Sequence, residues 1–331
     1  MNSENLPRWD LSDLYAGPAA AELMADLTKA EAAADRFADD YDGKVGALSA
    51  PGLAQAIVRY EQDEDLLGRI SSYAQLYHAA DVSDRAVGRF YQTTMERLSE
   101  ITSKLIFFAL ELNRIEDDAL AGLLAADPGL ARYAPWLRDI RASRPHQLAD
   151  AQERLLHEKQ VTGRAAWIRL FDETMSNLRF PMRNAETGED EQKTSEEVLH
   201  LLSGKDADLR REAALSLGKV FADNVRLFAL ITNTLAKDKD IEDRWRAFAD
   251  PADSRHLANQ VEGEVVAARA DAVKAAYPAM SHRYYALKAR WMGKESLDYW
   301  DRNAPLPEDD DRLVTWPEAV AAFVGILRDA G

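Results

Sequence analysis

The sequence predicts an all-α array of helix bundles with at most one short β-hairpin. Three observations carry that expectation. Apolar residues recur at alternating steps of four and three through the first third of the chain, which sets them on single helix faces. Capping side chains and prolines tolerated in a first helical turn stand where such runs open, and glycines where they close. Only the stretch from Leu178 to Thr194 has the short alternation and turn-rich centre of a hairpin.

The first helix carries Leu23, Leu27, Ala30, Ala34, Phe37 and Tyr41 on one face, between Gly17-Pro18 and Gly43. A second opens at Ser49-Ala50-Pro51, a capping hydroxyl followed by a proline whose missing N–H is not needed there. Leu53, Ile57, Tyr60, Leu67, Ala74 and Tyr77 would form its apolar face. In the third, Val87, Tyr91, Thr94, Leu98, Ile101, Leu105, Phe108 and Leu112 keep the rhythm without a break. At about 1.5 Å per residue that stripe is on the order of 38 Å long. Three long helices with short connections read as an antiparallel bundle, and core packing explains the stripes.

Turn residues interrupt the chain from Asp127-Pro128-Gly129 to Pro145, after which helices are expected over Asp150 to Gln160 and Arg164 to Ser176. Beyond the hairpin, Thr194-Ser195-Glu196-Glu197 has the form of a capping box. A long helix should follow from about Asp206, and another from Glu262 to Trp291 with a kink at Pro278. Leu297 to Asp311 reads as a loop with two prolines, and Thr315-Trp316-Pro317-Glu318 opens a last helix with an apolar face of Val320, Phe323, Val324 and Leu327. The expected organisation is residues 1–113, a long-helix bundle; 114–205, a second helical domain with the hairpin at 178–194; and 206–331, a further helical segment.

Composition narrows the function. The 57 acidic residues outweigh the 41 basic ones, for a formal charge of −16. Nucleic acid needs clustered Lys and Arg to neutralise phosphates, and an anionic membrane surface needs the same, so neither is an expected partner. With no cysteine, disulfides and thiolate metal sites are excluded. Met1 to Tyr15 lacks the basic-then-apolar order of a signal peptide, and no apolar stretch approaches the length of a bilayer span. The cytoplasm is the expected compartment.

The chemical motifs are incomplete. Two histidines four residues apart on a helix, with a glutamate between them, make the His-Glu-x-x-His zinc site. Here His157-Glu158 is followed by Lys159, Gln160 and then Val161, so the second ligand is missing. Glu197 and His200 have the spacing of a di-iron bundle ligand pair, but no other histidine has a glutamate three positions before it. His78, His146, His256 and His282 are scattered singly. Gly43-Lys44, Gly204-Lys205, Gly218-Lys219 and Gly293-Lys294 lack the upstream glycine of a phosphate loop, and no Gly-x-Ser-x-Gly occurs. No catalytic, cofactor-binding or metal-ligating residue is therefore assigned in this chain.

Several segments resemble the oligoendopeptidase F family of thimet-type zinc metallopeptidases. They are Trp9-Asp10-Leu11-Ser12-Asp13-Leu14-Tyr15, Leu148-Ala149-Asp150-Ala151-Gln152-Glu153-Arg154-Leu155-Leu156, and Gly163 with Ala166-Trp167-Ile168-Arg169-Leu170-Phe171. Arg255-His256-Leu257-Ala258-Asn259, Tyr284-Tyr285-Ala286-Leu287-Lys288-Ala289 and Leu297-Asp298-Tyr299-Trp300-Asp301-Arg302-Asn303-Ala304-Pro305-Leu306 continue the likeness in order. The resemblance implies a mostly helical peptidase that cleaves oligopeptides in a closed cavity. In that family the His-Glu-x-x-His helix lies downstream of everything matched here. The chain then reads as the N-terminal, channel-wall half, leading into a truncated catalytic domain and inactive alone. Zinc is expected in a C-terminal catalytic half, which would be its partner along with oligopeptide substrates. The alternative is a non-enzymatic helical scaffold or protein-interaction module.

Overall fold

The computed structural model describes residues 9–184, 188–306 and 314–329. The elements run α1 (Ala21–Tyr41), α2 (Ala50–Ala80), α3 (Arg85–Ser103), α4 (Ile106–Arg114), α5 (Asp117–Ala126), α6 (Pro128–Ala131), α7 (Ala134–Arg141), α8 (Asp150–Lys159) and α9 (Arg164–Asn177). The hairpin strands β1 (Phe180–Arg183) and β2 (Asp190–Lys193) come next. They are followed by α10 (Ser195–Leu201), α11 (Ala207–Asp223), α12 (Val225–Trp245), α13 (Asp253–Ala258), α14 (Gly263–Ala276), α15 (Arg283–Trp291) and α16 (Trp316–Asp329). Among the described residues the chain is thus all-α apart from one antiparallel two-stranded sheet. It divides into two compact units, one of residues 11–178 and 220–274, the other of 1–10, 179–219 and 275–331.

The larger unit is built on the amphipathic stripes. Ser49 caps α2 by accepting the Gly52 N–H at 3.3 Å, and Asp84 caps α3 through the N–H groups of Ala86 and Val87. α2 packs against both α1 and α3. Leu23, Leu27, Ala30, Ala34 and Phe37 of α1 are all buried. Phe37 is the hub of an aromatic cluster, with Phe108 edge-on at 5.1 Å and Tyr41, Tyr60 and Phe107 within 6 Å. Such ring pairs add about 0.5–1.5 kcal/mol each to the area they bury. After α1, Gly43 takes a positive φ of 74°, and the Glu111 carboxylate of α4 accepts the N–H groups of Gly43 and Val45.

Two helices expected to be continuous are broken. The third ends at Ser103, and α4 starts afresh at Ile106. Thr102 Oγ1 bonds back to the Leu98 carbonyl, and the N–H groups of Lys104 and Leu105 reach three residues back instead of four. A hydroxyl competing for helical carbonyls loosens a turn in this way. The stripe survives the break, because Leu105, Phe107, Phe108 and Leu112 remain buried. The helix expected from about Asp206 stops at Asp223 and restarts at Val225. At the junction the Asn224 side chain donates to the Val220 carbonyl. The kink at Pro278 is a five-residue π-turn, Pro278–His282, between α14 and α15.

In the smaller unit, β1 alternates, with Phe180 and Met182 buried. α11 is tied to β1 by Ser216 Oγ donating to the Pro181 carbonyl and by Glu212 accepting the Arg183 N–H. Thr194 and Glu197 complete the capping box of α10. The tail of the expected loop before α16, residues 307–311, lies outside the described residues.

Candidate functional site

The histidines singled out by motif do not assemble into a metal centre. His157 Nε2 lies 2.7 Å from Thr102 Oγ1, and Glu158 accepts the Ser103 hydroxyl at 2.9 Å, so this pair ties α8 to α3. Glu197 is occupied as the cap of its helix, which leaves His200 without a partner carboxylate from that motif. His146 bonds the Arg246 carbonyl at 2.8 Å and stacks on Phe248. His256 lies beside Gly263 and His282 beside Tyr277. Among the described residues, no group of three His, Asp or Glu side chains could hold a metal ion. The described side chains therefore do not fit a zinc ion.

A cleft does exist within the larger unit, and motif reading missed it. It has a volume of about 460 Å³ and lies between α2 and α3 on one side and α8 and α9 on the other. Its walls are largely apolar, from Leu67, Met95, Leu98, Val161, Ala165, Ala166 and Ile168. At one end are Glu64 and the Thr102–His157 pair; at the other are His78, Tyr91, Arg169 and Asp172. Fourteen residues of α2 separate Glu64 from His78, about 21 Å at the helical rise, so the cleft is a groove.

The polar end is electrostatically unusual. His78 is 92% buried, stacks on the Tyr91 ring at 4.4 Å and 9°, and its Nε2 has no hydrogen-bond partner among the described residues. Desolvation raises the Asp172 carboxyl above its ordinary range, and the nearby His78 offsets this only in part. Desolvation, with the Asp172 charge adding to it, also raises the Tyr91 phenol. The one sequence signal was a histidine on the buried side of α2, one turn after Ala74.

The smaller unit carries a second surface of interest. Besides the buried apolar residues Phe180, Met182 and Val198, its centre holds an ionic cluster: Arg210 donates to Asp301 at 2.8 Å and to the carbonyls of Gly204 and Lys205. Lys294 also pairs with Asp301, and buried Lys288 donates to the carbonyls of Arg302 and Ala304. Burial pushes the Asp301 carboxyl up, but Lys294 and Arg210 outweigh it and hold it below the ordinary range. Around this centre large apolar side chains face outward. Tyr277, Met280, Trp291, Tyr299, Trp316, Phe323 and Ile326 are 44–68% exposed. On α16, Val320 and Val324 are exposed as well, while the Leu327 side chain lies outside the described residues.

Residues 111–180, which run from α4 to the first residue of β1, match the family model described as Oligopeptidase F. Oligopeptidase PepF of Bacillus subtilis is 23% identical over 329 residues, covering 94% of this chain and 46% of that protein. This chain is similar to the oligoendopeptidase F family over most of its length. Group B oligopeptidase PepB of Streptococcus agalactiae is likewise 23% identical, over 96% of this chain and 53% of its own length. The crystal structure of oligoendopeptidase-F from Enterococcus faecium shares the fold, with a TM-score of 0.77 at 20% identity, over 94% of this chain and 62% of that one. The chain spans about half the length of the curated relatives it matches. Among the described residues no helix is long and apolar enough to cross a membrane.

Proposed function

We propose that this chain is the N-terminal, channel-wall portion of a zinc-dependent oligoendopeptidase that hydrolyses short flexible peptides. The observation that carries the reading is the match of nearly the whole chain to about half of two oligopeptidases. In this reading zinc and the groups that activate water belong to a C-terminal catalytic half, and this chain alone hydrolyses nothing. Its own residues supply the wall that admits an extended peptide and excludes a folded protein. The compartment is the cytoplasm.

The outward-facing aromatic and aliphatic side chains of the smaller unit support the same reading. Contiguous exposed apolar surface favours association at roughly 25 cal/mol per Å² removed from water. Trp316, Val320, Phe323 and Val324 lie at helical spacing along α16, the arrangement by which one helix seats against another. The partner that fits is the catalytic half of the same enzyme.

The test is reconstitution. The 331-residue chain is mixed with a separately produced polypeptide bearing the His-Glu-x-x-His helix, and a quenched oligopeptide is followed with and without a chelator. Cleavage that needs both polypeptides and stops with the chelator is the expected result. If both are folded and neither association nor cleavage appears at micromolar concentration, the chain acts as a scaffold or interaction module instead.

A further inference from the structure

The hairpin of the smaller unit has two edges, and they are treated differently. The register pairs Phe180 with Lys193 and Met182 with Glu191, and one step further on the Asn184 N–H donates to the Glu189 carbonyl. In an antiparallel ladder, hydrogen-bonded pairs alternate with non-bonded ones. The backbone groups of residues 189, 191 and 193 therefore face β1, and those of Asp190 and Gln192 face the other way. The same alternation aims the backbone of residues 181 and 183 off the outer edge of β1. That edge is blocked: Pro181 has no N–H, its carbonyl accepts Ser216 Oγ at 2.8 Å, and the Arg183 N–H donates to Glu212 at 2.7 Å.

Nothing corresponds on β2. Asp190 and Gln192 are exposed, and their outward N–H and C=O groups have no hydrogen-bond partner among the described residues. An open strand edge of this kind is a template for another extended chain. The side chains select which chain. Between Gly188 and Glu197 five carboxylates stand against one lysine, and that lysine, Lys193, is engaged by Glu191 at 2.7 Å. Asp190 is left with no cation, since Arg183, opposite it in the ladder, turns its Nε to the Gly188 carbonyl. A residue added directly across from Asp190 shares its face of the sheet, where an opposite charge is favourable and a like charge is not.

We propose that the open edge of β2 binds an extended peptide as a third strand, with basic side chains across from Asp190 and Gln192. The backbone N–H and C=O groups of those two residues supply the main-chain bonds, and Asp190 supplies the preference for lysine or arginine. The peptide residue across from Glu191 turns its own N–H away from β2. The inference concerns this chain's own hairpin and does not rest on the function proposed above.

Titration of the full chain into fluorescein-labelled Lys-Thr-Lys-Val-Lys-Thr-amide at low salt, followed by anisotropy, tests this. Saturable binding at one per chain is expected, weaker by about threefold or more when glutamine replaces the lysines or in Asp190→Asn. Methylating the backbone nitrogens of the peptide's lysines should weaken binding by about tenfold or more. Methylating those of its threonines and valine should change it by less than about twofold, because these face away. Amide exchange read by nuclear magnetic resonance should slow at Asp190 and Gln192 on saturation. Gln192→Pro removes one outward donor without touching the ladder to β1, and should abolish binding at an unchanged melting temperature. If that variant disturbs the hairpin, the two methylated peptides decide the matter on the native chain. Equal loss from both methylation patterns, equal affinity for the lysine and glutamine peptides, or no saturable binding up to millimolar peptide would overturn the proposal. So would amides of Asp190 and Gln192 that slow with chain concentration alone, which would give the edge to a second copy.

Discussion

In the bundle, Phe37 touches four other rings, and the stripes of α1, α2 and α3 are covered by one another. In the smaller unit the largest fully buried side chain is Arg210, its partner Asp301 is fully buried, and rings such as Tyr299 and Trp316 are more than half exposed. The two regions solve the same problem with different means. Buried apolar area is a net gain on folding, whereas a buried ion pair roughly cancels its own desolvation. What Arg210, Lys294 and Lys288 do is fix the loop 298–306 in place, through one carboxylate and two backbone carbonyls. In the function proposed above, the outward rings of this unit are the surface that a catalytic half would cover.

The largest expected effect falls in the bundle. Leu105, in the junction between α3 and α4, is 2% exposed and belongs to the apolar seam of the bundle. Leu105→Asp would place an unpaired carboxylate there, which costs several kcal/mol, about 4 or more. Thermal melting followed by circular dichroism should show the bundle unfolded or its transition far lower. An unchanged melting temperature would mean that the seam is open and the contrast between the regions false.

The next effect is in the smaller unit. Asp301→Ala removes the anion that Arg210 and Lys294 share and leaves buried Arg210 uncompensated, at about 3–5 kcal/mol. The pH dependence follows from the lowered Asp301 pKa. A carboxyl whose folded pKa lies below its unfolded value of about 3.9 contributes stability above that pH and loses it as pH falls through the folded value. Urea unfolding of the native chain should weaken below about pH 4, and Asp301→Ala should lose that part of the acid sensitivity. Equal acid sensitivity in both would show that the ion cluster does not hold the unit.

The smallest effect should come from the exposed face. Phe323 is 63% exposed, so Phe323→Ser should change the stability of the chain itself by no more than about 0.5 kcal/mol. Its association with the catalytic half should weaken all the same, read by ultracentrifugation of the mixture. Strong destabilisation of the chain alone would show that α16 is already packed.

Much of this fold was legible in the sequence, because helices announce themselves by local rules. The stripe from Leu23 to Phe37, the Ser49 and Thr194 caps and the hairpin at 180–193 all rest on residues within a few positions of each other. The breaks at Lys104-Leu105 and Asn224 were not legible. They depend on whether a Thr102 hydroxyl or an Asn224 amide turns inward, which the apolar rhythm does not record. The groove was missed for a deeper reason. His78, Tyr91 and Asp172 come from three helices, and Tyr91 had already been read as one more member of an apolar stripe. Arg210 and Asp301, 91 positions apart, were invisible on the same ground.

The interface proposed for a catalytic half is the exposed face of α16. Amide hydrogen exchange of the 331-residue chain, alone and mixed with the polypeptide carrying the His-Glu-x-x-His helix, measures this segment by segment. The expected result is that amides across Trp316–Asp329 slow by about tenfold or more in the mixture, while those of α1, α2 and α3 exchange as before. Reconstituted peptide cleavage with exchange in Trp316–Asp329 unchanged would contradict it, and so would protection confined to the bundle.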